Sequence, residues 1–439
     1  MGTTPRAERA IARCRELALC TEVEGETTRT FLAPSMHRVH ELAGGWMEAA
    51  GMHVRVDSAG NLRGVLPAAN SDAPRLLIGS HLDTIANAGA FDGVLGVVLG
   101  VGLVEEMVEG TRTASPSGAP LPFAIEVIGF SEEEGVRFAK PFLGSLALVG
   151  ELDAATLGRT DRGGVSVVDA IRQFGLDPNG LPAAILDDSA FAYLELHIEQ
   201  GPVLESENLA LGVVDAIAGQ TRIQLSFTGQ ANHAGTTPMG RLRHDALAAA
   251  AEWVIEVERY ANHCDGLVAT VGKLDVAASA SNVIPGQLSA SLDVRHASDA
   301  VRNAALDHYL AYAASSAAVR GVTVTQATLL DSPAVPMDPT LSALLATAAT
   351  QATGSLPPAL VSGAGHDAMI VARRLPTAIL FLRSPGGLSH HPDEAVLPGD
   401  VEAALATGVE FLHSLRDDRA MLERVTARRP RSRREDIHA

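Results

Sequence analysis

Short strand-like runs alternate with helical segments along most of the chain, and this alternation limits the folds open to it. The runs 75–80, 123–130 and 378–383 are apolar or β-rich, and polar residues cluster near the end of each. Residues 93–109, which follow the first cluster, have helical character. Strands that alternate with helices predict an α/β fold with a site along the carboxyl-terminal edge of its sheet.

The pattern changes between about residues 212 and 330. Strand-like segments occur there at 222–228, 267–273, 287–294 and 322–329, and helical segments at 245–261 and 299–317. Four strands with two helices predict a compact α+β domain inserted into the first one. We therefore expect a discontinuous domain formed by residues 1–212 and 331–439, interrupted by a second domain at 213–330.

The charge balance restricts the partners of the protein. The 439 residues include 34 basic and 52 acidic side chains, which gives a net charge of −18 with neutral histidine. Nucleic acids and anionic membranes bind basic surfaces, so we expect neither as a partner. Only two basic side chains are lysines (Lys140 and Lys273), so catalysis through a lysine has almost no candidates.

Several features favour a soluble, cytoplasmic protein. The N-terminal segment lacks the apolar run of a signal peptide and has the pattern of an amphipathic helix. The longest apolar stretch, 94–104, is about half a membrane span, so we expect a buried helix. The three cysteines include no C-x-x-C pair. We expect the arginine-rich segment 423–439 to be a solvated tail.

Two acidic clusters follow strand-like runs. His81 and Asp83 stand at the end of the first run, and Asp92 follows in a glycine-rich turn. A metal-bound imidazole is usually oriented by a hydrogen bond from its second ring nitrogen, and a nearby carboxylate is a suitable acceptor. The triplet 132–134 consists of three glutamates, whose mutual repulsion calls for a compensating cation. Adjacent glutamates also allow one to bind metal while its neighbour transfers a proton.

Histidines stand in two further clusters, ELHIEQGP at 195–202 and SHHPDE at 389–394. Alternation along a strand would place Glu195, His197 and Glu199 on one face. Taken singly, each cluster has a structural alternative, such as a helix cap, a solvated acidic loop or a core histidine. Together, five residues fit two divalent ions that share one bridging carboxylate, with zinc, manganese or a similar ion. The five are His81, Asp92, Glu134, His197 and His390.

Eight short motifs together resemble one family of hydrolases. They are GSHLDT (79–84), FDGVLG (91–96), EEGVRF (133–138), ELHIEQGPVLE (195–205), GQANHAGTTPM (229–239), SNVIPG (281–286), SGAGHDA (362–368) and GLSHHPDE (387–394). From about residue 20 to 415 the chain resembles the dinuclear metal-dependent amidohydrolases of the metallopeptidase clan that includes aminoacylases. It is similar to the branch of allantoate amidohydrolases, N-carbamoyl-L-amino acid hydrolases and β-ureidopropionases. The resemblance implies a catalytic α/β domain with an inserted α+β domain for dimerisation and lid closure.

The resemblance also implies a role for each candidate ligand. Two divalent ions, manganese or zinc, would be held by Asp92 as the bridge, by His81 and His197 at one ion, and by Glu134 and His390 at the other. His390 matches the family pattern Ser-His-x-Pro, and the adjacent His391 remains an alternative. Asp83 would orient His81.

Further residues would act on the substrate. Glu133 would be the general base and later the acid, which makes Glu132 an extra acid in the triplet. His233 would reach the site of the neighbouring subunit in a homodimer and stabilise the oxyanion, or it is a structural residue of a glycine-rich turn. The implied substrate contacts are Gln200, Asn282, Arg295 and His366. Arg295 and Asn282 would bind a carboxylate, and a surface ion pair is the alternative for Arg295.

The implied reaction is hydrolysis of the terminal ureido group of a small anionic substrate. Allantoate is the first expectation, because residues 330–337 resemble the corresponding stretch of allantoate enzymes. An N-carbamoyl-L-amino acid and then β-ureidopropionate are the alternatives. An aminoacylase or dipeptidase on the same scaffold and a metal-free binding protein are more distant ones.

Overall fold

Helices and strands alternate in the computed structural model, which describes residues 4–114, 121–277 and 280–426. In these ranges the α-helices are α1 (Pro5–Ala18), α2 (Pro34–Ala49), α3 (Val94–Ala114), α4 (Leu143–Val149), α5 (Ala154–Leu157), α6 (Val167–Gln173), α7 (Val203–Ser206), α8 (Ala246–Ala261), α9 (Asp299–Val319), α10 (Pro339–Thr353), α11 (Asp367–Val371), α12 (Pro398–Asp417) and α13 (Arg419–Thr426). The strands are β1 (His53–Val56), β2 (Leu62–Leu66), β3 (Arg75–His81), β4 (Ala124–Phe130), β5 (Ala190–Ile198), β6 (Leu211–Ile217), β7 (Gly219–Thr228), β8 (Asn232–His233), β9 (Val268–Thr270), β10 (Leu274–Val276), β11 (Val283–Ile284), β12 (Gln287–His296), β13 (Thr323–Ser332), β14 (Val335–Pro336), β15 (Ala359–Ser362) and β16 (Thr377–Leu382). Two 3₁₀ helices span Pro178–Ala184 and Pro385–Gly387.

The first compact unit consists of Met1–Asp215, Met337–Leu360 and Gly365–Ala439. Its sheet has the order β1-β2-β4-β3-β5-β16-β6. The central strands β4, β3, β5 and β16 run parallel to one another. Strands of this kind are apolar throughout because helices cover both faces, and β16 is buried along its whole length. The predicted α/β fold is therefore the observed one.

The parallel strands all end at one edge of the sheet. His81, Phe130, Ile198 and Leu382 are the last residues of β3, β4, β5 and β16. The polar residues that follow each strand therefore collect at this edge. This is where ligands bind in open α/β sheets.

The apolar, glycine-rich run at 94–104 forms the first half of α3, which packs on β3 and β5. A Cβ at Gly96 would overlap the carbonyl oxygen of Leu196, so the helix lies closer to β5 than any larger residue allows. The prediction of a buried helix is confirmed. Within the described ranges, no helix combines the length and apolar character needed to span a membrane.

The second compact unit consists of Ala216–Pro336 and Val361–Ala364. Its antiparallel sheet has the order β10-β12-β7-β13, and β9 also pairs with β12. Helices α8 and α9 pack on the sheet around the buried side chains of Phe227, Trp253 and Tyr309. Residues alternate between buried and more exposed along β7, as expected for a strand with one covered face.

Two local predictions in this unit need correction. The segment 267–273 forms only the three residues of β9, and the next three-residue strand, β10, was not predicted. The unit also extends beyond 330, because β13 continues its pairing with β7 to Ser332, opposite Gln220. The expected arginine-rich tail lies outside the described residues from 427 onwards.

Candidate metal centre

Three buried side chains form the first group of potential metal ligands. His81 ends β3, His197 lies near the end of β5, and Asp92 stands in the turn before α3. Oδ1 of Asp92 lies 3.3 Å from Nε2 of His197 and 4.0 Å from Nε2 of His81. Gly93 follows with a φ of +67°, and a Cβ there would overlap the His81 ring, so only glycine fits this turn.

The second group uses the other oxygen of the same aspartate. Oδ2 of Asp92 lies 3.3 Å from Nε2 of His390, and this nitrogen lies 3.5 Å from Oε1 of Glu134. Potential ligand atoms lie within 4.8 Å of one another in each group. The two carboxylate oxygens of Asp92 therefore face different sets of potential ligands, as a bridging carboxylate would require.

The donor chemistry and the electrostatics both fit divalent cations. In the described part of the chain, the ion-pair partners of Asp92 and Glu134 are imidazoles. Burial raises the pKa of Glu134 to about 7, and the negative charges of Asp92 and Asp83 add to this. Burial also raises the pKa of Glu133 well above its usual value. Crowded carboxylates of this kind, with histidine and no cysteine, suit zinc or manganese.

Asp83 links the first ligand group to the glutamate triplet. Its carboxylate accepts hydrogen bonds from the backbone N–H groups of Glu133, at 3.0 Å, and Glu134, at 3.1 Å. Nδ1 of His81 lies 3.0 Å from the backbone carbonyl oxygen of Asp83 and 3.5 Å from its carboxylate. The predicted orientation of His81 thus involves the backbone of Asp83 as well, while the carboxylate holds the triplet in place.

The members of the triplet differ in their surroundings. Glu133 belongs to a group of close donors with His81 and Glu134. Glu132 has no exposed surface and belongs to none of the donor groups found among the described residues. Glu133, unlike Glu132, therefore lies among the potential metal ligands.

Two predicted substrate contacts lie beside the ligands. Gln200 has a φ of +59°, and its side-chain nitrogen donates to both carboxylate oxygens of Asp92, at 3.0 and 3.1 Å. His366 is buried, and its ring packs edge-to-face on His197 with 4.6 Å between centroids. His366 also forms a further donor group with Glu195 and His197.

Three predicted residues belong to the second unit. His233 and Asn282 are exposed, and the carbonyl oxygen of Asn282 accepts the N–H of Ala234 where β8 pairs with β11. Arg295 lies on β12, and its Nε donates to Asp293 at 2.7 Å. The small β8–β11 sheet therefore brings His233 and Asn282 together. Arg295 forms an ion pair with Asp293, which was the alternative to a role in substrate binding.

Two further acidic residues at this edge of the sheet, Glu195 and Glu394, were not predicted to be ligands or catalytic residues. Glu195 accepts hydrogen bonds from Ser80, Tyr193 and the N–H of Ala368, which ties β3, β5 and α11 together. Glu195 lies two residues before His197 on the same face of β5, and this spacing could have indicated that it lies near the site. Glu394 stands in the same motif as His390, and its carboxylate accepts the N–H of Asp92 at 2.9 Å.

The expectation for Glu199 was wrong. It does not share a face with Glu195 and His197, because β5 ends at Ile198. Its carboxylate instead accepts the backbone N–H groups of Val203 and Leu204 at the start of α7.

The adjacent histidines give a direct test of the second ligand group. His390→Ala is expected to weaken binding of one ion by about tenfold or more, since it removes a donor nitrogen beside Asp92. His391→Ala is the matched control, because Nδ1 of His391 lies 3.8 Å from Asp393, whose side chain is 82% exposed. Calorimetric titration of both apoproteins with Mn²⁺ measures the effect. Weaker binding in His391→Ala alone would reverse the assignment.

Known proteins resemble the chain over most of its length. The model of Peptidase family M20/M25/M40 matches residues 77–417. Allantoate deiminase 2 of Glycine max is 38% identical over 437 residues, covering 93% of this chain and 89% of the relative. The N-carbamoyl-L-amino acid amidohydrolase of Geobacillus stearothermophilus is 39% identical, covering 93% and 97%. A solved amidase of the hydantoinase/carbamoylase family from Burkholderia multivorans has a TM-score of 0.85 at 30% identity, covering 94% and 98%.

These matches confirm the resemblance inferred from the motifs. The matched range includes every candidate ligand from His81 to His390. Enzymes of this family are metal-dependent, in agreement with the groups of histidine and carboxylate donors at the sheet edge. The chain therefore belongs to peptidase family M20/M25/M40, as a hydrolase of carbon–nitrogen bonds other than peptide bonds.

Proposed function

We propose that the protein hydrolyses the terminal ureido group of a small anionic substrate, with allantoate as the first candidate. The observation that carries the proposal is the pair of donor groups that share Asp92, one on each carboxylate oxygen. This arrangement suits two divalent ions, manganese or zinc, held by one bridging carboxylate. The relatives named as an allantoate deiminase and an N-carbamoyl-L-amino acid amidohydrolase support the first candidate and its alternative.

The residues of the chain would position and protonate the reactants. When bound, the ions supply a water of lowered pKa and a positive charge at the substrate carbonyl oxygen. Glu133 takes a proton from the attacking water, and Asp83 holds the backbone of Glu133 through its N–H. Glu133 then gives the proton to the departing nitrogen. Overall, R–NH–CO–NH₂ and one water yield R–NH₂, carbon dioxide and ammonia.

A substrate panel tests the proposal. The metal-loaded protein is expected to release ammonia from allantoate, with N-carbamoyl-L-amino acids and β-ureidopropionate measured beside it at matched concentration. N-acetyl amino acids and dipeptides are the controls, with release of the free amino acid as their readout. The kcat/KM values rank the ureido compounds. Faster cleavage of an N-acetyl amino acid or a dipeptide than of every ureido compound would contradict the proposal.

We also propose a homodimer in which His233 serves the site of the neighbouring subunit. Nδ1 of His233 accepts the N–H groups of Gly235, at 3.1 Å, and Thr236, at 3.2 Å. The ring proton therefore belongs on Nε2, which can donate a hydrogen bond. Such a donor suits the oxyanion of a tetrahedral intermediate.

Mixing two inactive variants tests the shared site. His233→Ala and Glu133→Gln subunits, dissociated and reassembled together, are expected to recover about a quarter of wild-type activity, because random assortment gives one complete site in each mixed dimer. Each variant reassembled alone is the control. Absence of any recovery in a mixture that forms mixed dimers would exclude the contribution of His233 across subunits.

A further inference from the structure

Glu394 contacts the loop that carries Asp92. Its Oε1 accepts hydrogen bonds from the backbone N–H groups of Phe91 and Asp92, both at 2.9 Å. The residue is only 5% exposed, although it lies 302 positions from Asp92 in the sequence. Two N–H groups on one carboxylate oxygen fix the direction in which the Asp92 side chain leaves the backbone.

The other oxygen of Glu394 connects to the residue before His390. Oγ of Ser389 lies 3.4 Å from Oε2 of Glu394 and 3.3 Å from Oδ2 of Asp92. His390 itself has a φ of +56°, in the left-handed region that is disfavoured for a residue with a side chain. Surrounding contacts must therefore hold this conformation, and Ser389 is the adjoining residue.

The Asp92 loop also packs directly on Glu394. A Cβ added at Gly89 would overlap the Glu394 side chain, so the two segments fit together only with glycine at this position. Glu394 thus fixes the loop through hydrogen bonds at Phe91 and Asp92 and through close packing at Gly89.

We propose that Glu394 is a positioning residue for one of the two ions, the one bound by Asp92, Glu134 and His390. The inference rests on the proposed dinuclear function and assigns Glu394 a role in it. Glu394 contacts two segments, the loop that carries Asp92 and the residue Ser389 next to His390. Each segment supplies a proposed ligand to this ion. The other ion depends less on Glu394, because His81 and His197 project from the buried strands β3 and β5. Loss of Glu394 should therefore weaken the binding of the two ions to different extents.

Metal titration of variants tests this selectivity. Apoproteins of the wild type, Glu394→Ala and Glu394→Gln are titrated with Mn²⁺ and Zn²⁺ by calorimetry, and the Co²⁺ forms are compared by absorption. Glu394→Ala is expected to bind one ion as the wild type does and the second about 10- to 100-fold more weakly. Glu394→Gln keeps an acceptor oxygen and is expected to recover most of the affinity. Asp393→Asn, next to it with an 82% exposed side chain, is the control without effect.

Gly89→Ala perturbs the same contact from the opposite side without removing the carboxylate. It is expected to show the same selective loss, and circular dichroism of each variant checks that it folds. The assignment would be overturned if Glu394→Ala and Gly89→Ala bound the second ion with unchanged affinity. It would also be overturned if the affinity for both ions fell equally. A wild-type protein that binds fewer than two ions would instead overturn the dinuclear function, and this inference with it.

Discussion

Glu133→Gln is expected to lower kcat by about 10²- to 10⁴-fold, the usual contribution of a general base, while both ions remain bound. Glutamine keeps the size of the side chain, and the backbone N–H that donates to Asp83 at 3.0 Å is unaffected. The amide cannot take a proton from water, so only the proton transfer is lost. Ammonia release, KM and elemental analysis of the purified variant together measure the effect.

Glu132→Gln is the matched control for this variant, with the same chemical change one residue earlier. Burial and the nearby charge of Asp83 raise the pKa of Glu132 well above its usual value, and Glu132 belongs to none of the donor groups found among the described residues. We expect turnover within a few-fold of the wild type, as for a substitution away from the reacting atoms. Full activity in Glu133→Gln would show that Glu133 is not the general base. Loss of activity in Glu132→Gln alone would assign that role to Glu132 instead.

Asp92→Asn is expected to reduce the bound ions from two to one or none. Both donor groups share this carboxylate, and an asparagine offers one oxygen and a nitrogen that does not bind metal. Because bound metal ions in such sites account for several kcal/mol of transition-state stabilisation, activity should fall by about 10³-fold or more. Elemental analysis and ammonia release measure the two effects.

Removal of metal from the wild type provides the comparison for Asp92→Asn. A chelator should abolish turnover of the wild type, and Mn²⁺ or Zn²⁺ should restore it. The same additions should fail to restore Asp92→Asn, because this variant lacks one of the two carboxylate oxygens proposed to bridge the ions. A normal content of two ions in Asp92→Asn would disprove the bridging role.

The regular elements of the fold were predictable because local patterns report burial. The apolar runs at 75–80 and 378–383 correspond to β3 and β16, which are covered on both faces. The helical segments at 245–261 and 299–317 correspond to α8 and α9. Short strands such as β10 were missed, since three residues are too few to show a period.

The site was predictable in its chemistry and less so in its contacts. The motifs identified five candidate ligands, and the structure brings all five to one edge of the first unit. Glu394 is the last residue of the motif GLSHHPDE (387–394), but the motif by itself does not indicate what Glu394 contacts. Its partner Asp92 is 302 residues away, and no local pattern reports a contact over that distance.

The sequence by itself determined which donor atoms are present and which family the chain belongs to, because residue types and their spacing are fixed along the chain. The tertiary structure decided which oxygen of Asp92 faces which histidines, and that His390 rather than His391 lies beside it. These directions depend on backbone conformations such as the φ of +56° at His390 and +59° at Gln200. Local preference disfavours such angles, so they persist only where contacts from distant parts of the chain hold them.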